Sequence, residues 1–106
     1  MSFGAASPEE LEGMLEDAWL LNDESFLSTL FDVDAVLLAP GPNQVRGRPA
    51  IANVIIEQLR DGGSYVAAPQ LVIQSGSLAL IVSGNATSVA RRSLDGWHYV
   101  ISRIDL

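Results

Sequence analysis

Two hydrophobic periods divide the chain. Leu11, Met14, Leu15, Ala18 and Leu21 recur at three- and four-residue spacing, which places them on one helical face. Ser7-Pro8-Glu9-Glu10 precedes them with a capping serine, a first-turn proline and a glutamate at the capping-box position, so the helix starts there. Glu9, Glu12, Glu16 and Asp17 fall largely on other faces and read as a solvated acidic side. Asn22-Asp23-Glu24-Ser25 interrupts the period and offers a new cap, after which Phe26, Leu27, Leu30 and Phe31 predict a second, short helix. A third follows Gly47-Arg48-Pro49, with Ile51, Val54, Ile55 and Leu59 as its buried stripe and Gly62-Gly63 at its end.

Elsewhere the pattern is that of strands. Asp34 to Ala39 is apolar and partly branched, Pro40-Gly41-Pro42-Asn43 is a turn, and Gln44 to Arg46 is the return strand of a hairpin. Ser64 to Gln74 is strand-like but contains Pro69, which cannot donate to a ladder and so implies an edge, a bulge or a bend. Leu78 to Ser83, Ala86 to Leu94 and Trp97 to Ile104 are joined by Gly84-Asn85 and Asp95-Gly96, giving a three-stranded meander. Helices segregated to one side of an antiparallel sheet make an α+β fold, and 106 residues suit one domain spanning the whole chain.

Composition narrows the function. Thirteen acids against six bases give a net charge of -7, which repels nucleic acid and anionic membranes, so neither is an expected partner. The absence of cysteine excludes disulfides, thiolate metal sites and a cysteine nucleophile. One histidine and scattered carboxylates make no metal-ligand spacing, and no cofactor is expected. Met1 to Ser7 lacks the basic and apolar regions of a secretory signal, and no apolar run approaches the roughly 20 residues of a bilayer span, so a cytoplasmic protein is expected. Asn85-Ala86-Thr87 then reads as turn chemistry rather than a glycosylation site. Hydrophobic residues reach 48%, more than one small core needs, and the surplus points to burial between subunits.

The order of elements, with Phe31-Asp32-Val33-Asp34-Ala35-Val36, Val45-Arg46-Gly47-Arg48-Pro49-Ala50-Ile51, Ala90-Arg91-Arg92 and Asp95-Gly96-Trp97, resembles the nuclear transport factor two-like superfamily. Within it the chain is similar to small SnoaL-like and ketosteroid isomerase-like proteins from Ser7 to Asp105. The resemblance implies a cystatin-like cone, with three helices packed on a curved antiparallel sheet, an internal pocket and a homodimer formed through the sheet. It does not bring the isomerase catalyst. The position of the family's base falls on Ala39, that of its oxyanion tyrosine on Asp17, and that of its protonated aspartic acid on Ser88 or Val89. A last-strand acid common among small members is replaced by Ser102 after Val100-Ile101. The superfamily hosts many chemistries, so the fold implies none of them.

Several side chains could still carry chemistry. His98, the one histidine, is a candidate general base, and its plainer role is a half-buried residue of an alternating strand. Asp34 is a candidate acid if its apolar neighbours raise its pKa, and otherwise simply begins a strand. Arg46 and Arg48 flank Gly47 before a helix, where an anion could bind; salt bridges to the acidic surface are the plainer use. Arg91 and Arg92 point to opposite faces of their strand. Trp19, Phe31, Leu38, Ile55, Tyr65 and Tyr99, with Trp97 beside them, could line a pocket for a small hydrophobic ligand or form plain core. Three functions stay open: binding a small apolar molecule, an isomerase-, cyclase- or dehydratase-like activity using His98 or Asp34, and a structural or interaction module.

Overall fold

The computed structural model describes residues 4–38, 43–63 and 65–105, and the chain described is an α+β cone. Residues 40–42 of the expected turn therefore lie outside the described residues, as does Ala39. Helix α1 (Pro8–Leu21) is capped by Ser7, whose hydroxyl accepts from the Glu10 amide at 3.0 Å. The Glu10 carboxyl reaches back to the amide of Ala6, one residue before the cap itself. Helix α2 (Glu24–Thr29) starts at Asp23, whose side chain accepts from the Phe26 amide, and α3 (Arg48–Arg60) carries Pro49 in its first turn.

Six strands form one sheet: β1 (Phe31–Leu38), β2 (Gln44–Arg46), β3 (Pro69–Ser75), β4 (Leu78–Ser83), β5 (Ala86–Ser93) and β6 (Gly96–Ile104), in the order β2-β1-β6-β5-β4-β3. The sheet is mixed, which corrects the fully antiparallel expectation: β1 runs parallel to β6, while the other neighbours are antiparallel. The parallel pair arises because α2 delivers β1 beside the last strand, a long-range pairing that no local turn specifies. The meander has four strands, since β3 joins β4, β5 and β6 as an outer edge. Pro69 lies where the β3–β4 register shifts, so the proline occupies both an edge and an irregularity.

A second register shift shapes the interior. Ala90 pairs with Tyr99 and Val89 with Ile101, so Val100 is an extra residue in β6. The bulge resets the alternation, turning both Tyr99 and Ser102 inward and Ile101 outward. Inward residues Ala35, Leu37, Ala79, Ile81 and Ala90 meet Leu11, Leu15 and Ala18 of α1 and Ile51, Ala52 and Ile55 of α3 in one core. The helix-one stripe differs from its expected form at its end, where Leu21 is 71% exposed and Trp19 is buried instead. A further correction is Glu12, which lies in the core at 1% exposure and not on the solvated side.

The N-terminal segment closes the β5–β6 end. Ala5 bridges to Trp97, and a side-chain carbon on Gly96 (φ 118°) would meet the Ala5 carbonyl oxygen at 2.7 Å. Glycine is therefore required there by both conformation and space.

Candidate functional site

The most polar part of the interior is built around Glu12. Spacing puts it there: Pro8, Glu12, Leu15 and Trp19 follow one another at helical intervals and all are buried. Tyr65, from the segment after α3, donates its hydroxyl to Glu12 Oε1 at 2.6 Å. Ser83 of β4 donates to the same oxygen, and Tyr99 of β6 donates to Oε2. Nearby, the hydroxyls of Ser88 and Ser102 pair at 3.0 Å across β5 and β6. Among the described residues no buried side-chain nitrogen or oxygen lacks a partner, as a low-dielectric interior demands.

Aromatic packing holds this cluster in place. Trp19 stacks on Tyr65 at 5.6 Å between ring centroids, and Phe31 packs on Tyr99 at 5.4 Å. The segment carrying Tyr65 is tied to α1 twice more, by Trp19 Nε1 donating to the Gly63 carbonyl and by the Ala67 amide donating to Glu16. Burial, followed by the bond to Glu12, pushes the Tyr65 phenol far above its usual pKa; burial and the nearby Glu12 charge do the same to Tyr99. Both phenols thus remain protonated donors, and the arrangement is a closed carboxyl cage.

A second cluster lies at the opposite kind of place, an open cleft of about 370 Å³ beside the β5–β6 turn. Its walls include Met14, Phe26, Leu30, Arg48, Trp97 and His98. His98 sits on the stretch of β6 that extends beyond the start of β1. Its Nδ1 lies 3.0 Å from the Thr29 carbonyl, an acceptor, so Nδ1 carries a proton. Its Nε2 lies 3.1 Å from Asp95 Oδ1. The Ser93 hydroxyl and then His98 hold the Asp95 carboxyl below its usual pKa. An imidazole with both nitrogens engaged is oriented but not poised to take a proton from a substrate.

The other residues singled out in the sequence scatter. Asp34 is exposed on the β1 bulge, where its amide bonds Asp32 Oδ1. Asp17 is exposed on α1. Trp19, Phe31, Ile55, Tyr65 and Tyr99 are all within the packed core, together with Trp97. Leu38 is separated from them, lining a shallow cleft of about 290 Å³ with Val89, Ile101 and Arg103. Arg91 pairs with Asp32 at 2.7 Å, Arg92 lies over the Trp97 ring, and Arg46 bonds Gln44. Among the described residues no group of three or more histidines and carboxylates could hold a metal ion. No described helix is long and apolar enough to cross a membrane. The residue sequence reasoning missed is Glu12; its spacing to Leu15 and Trp19 was the available signal.

This architecture is the nuclear transport factor two-like, cystatin-like cone. A chain named for the association domain of calcium/calmodulin-dependent protein kinase type II, from Thiobacillus denitrificans, matches with a TM-score of 0.78 and 17% identity over 96% of each chain. An NTF2-like protein from Novosphingobium aromaticivorans matches at 0.75 and 22% identity, over 92% of this chain and 78% of the other. A ketosteroid isomerase-like protein from Erwinia carotovora atroseptica matches at 0.75 and 18%, over 92% and 91%. No protein-family model and no curated protein matches the sequence. At these identities the likeness defines the fold and leaves the chemistry to the residues.

Proposed function

We propose that the chain is a self-associating cone-fold module that pairs with a second copy through the outer face of its sheet. The observation that carries this reading is an apolar row across the meander. Leu71, Ile73, Leu78, Leu80 and Ile101 are 38–51% exposed, and Ile73, Leu80, Val89 and Ile101 stand opposite one another in successive strands. A contiguous exposed apolar patch on a small soluble fold favours an interaction surface. The association domain named among the similar structures is a fold neighbour whose own name describes assembly, which adds to the reading without deciding it.

The interior weighs against the two other functions. An apolar guest inside the cone would have to displace Trp19, Phe31, Ile55, Tyr65 and Tyr99 from close packing. Acid–base catalysis through His98 Nε2 would require breaking its bond to Asp95, and Asp34 faces solvent. Analytical ultracentrifugation tests the proposal. Wild type sediments as a dimer at micromolar concentration, and Leu80→Asp with Ile101→Arg converts it to a folded monomer. A wild-type monomer, or an unchanged mass in the folded double variant, would reject it.

A further inference from the structure

Arg48 is where an unexplained sequence feature meets the cavities. It lines the 370 Å³ cleft and also a second, of about 420 Å³, walled by Glu24, Ser25, Ser28, Pro49 and Ala52. Its Nε donates to the Phe31 carbonyl at 2.7 Å, which fixes the plane of the guanidinium. Among the described residues no carboxylate stands within ion-pair distance of it, although the chain carries a net charge of -7. The salt bridge expected for Arg48 is therefore not made. Instead the guanidinium is held rigid, half-buried, with donors left over on its terminal nitrogens.

We propose that this groove binds a small monocarboxylate with an apolar body. The carboxylate takes the terminal N–H groups of Arg48 as a bidentate pair, and the body lies against Met14, Phe26 and Leu30. The cleft falls within the range of about 300–1,000 Å³ that small-molecule sites occupy. Anchoring Nε to Phe31 removes much of the ordering cost that a free arginine would incur on binding. Charge limits the valence: Asp95 borders one cleft and Glu24 the other, so beside the Arg48 guanidinium a phosphoryl dianion is repelled more strongly than a single carboxylate. The site lies outside the cone interior and away from the apolar sheet face, so it is independent of self-association.

Amide NMR spectra of the full chain, titrated separately with 3-phenylpropionate, 3-phenylpropionamide and inorganic phosphate, test the inference. The acid shifts the signals of Thr29, Leu30, Arg48 and His98 saturably, the neutral amide binds at least about tenfold more weakly, and phosphate does not bind. Arg48→Gln abolishes the preference for the acid. Because that change also removes the bond to Phe31, Met14→Trp serves as the second variant: it keeps Arg48 and fills the cleft, and it eliminates binding. Equal affinity for acid and amide, no saturable shift at these four residues, or undiminished binding by Met14→Trp would each overturn the proposal.

Discussion

Glu12 and Asp95 each gather hydroxyl and ring partners around a carboxyl group, yet they belong to different physical regimes. Glu12 takes its partners from positions 53, 71 and 87 residues away and has 1% exposure. Asp95 bonds Ser93 and His98 within its own turn, and its side chain is 64% exposed. The first cluster ties α1 to β4, β6 and the segment before β3, so its loss is felt by the whole core. The second orders a turn that water can solvate equally well. The lesson is that the same chemical groups act as a structural keystone or a local trim according to the solvent they have given up.

Replacement at the two carboxyls breaks this comparison most directly. Glu12→Ala removes the acceptor of two tyrosines and a serine and opens a void, so it costs about 3–5 kcal/mol in urea denaturation. A loss below about 1 kcal/mol there would show that the cage is dispensable. Next in size is the alkaline limb of stability. In the unfolded chain Tyr65 and Tyr99 ionise near 10.0, while the native state keeps both protonated. Unfolding above that pH releases protons, so stability falls as pH rises, by up to roughly 1.4 kcal/mol per unit for each tyrosine. Tyr99→Phe flattens this slope; an unchanged slope would mean the phenol is not shielded.

The smallest effect belongs to Asp95. Its carboxyl is held below the usual 3.8, so its contribution is present above that value and fades as pH falls through the lowered native pKa. Asp95→Ala leaves the denaturation midpoint at neutral pH nearly unchanged. It also frees His98 Nε2 from its contact with Asp95, which is read as a changed imidazole ring chemical shift at neutral pH by NMR. A large drop in midpoint would place Asp95 beside Glu12 as part of the core.

What could be read from residues alone is what short-range rules control. Ser7 and Asp23 cap their helices because a side-chain oxygen beside unpaired amides is a local arrangement, and Pro49 enters a first turn for the same reason. Pro69 announced an edge because a missing donor cannot be hidden in a sheet interior. The α+β order and cone architecture followed from these signals together with the family resemblance. The parallel β1–β6 pair, the bulge at Val100 that turns Tyr99 inward, and the burial of Glu12 were decided only by the tertiary structure. Helical spacing allowed Glu12 to face either way. Burying it became tolerable only because three hydroxyls, remote in sequence, converge on its oxygens when the sheet closes over α1.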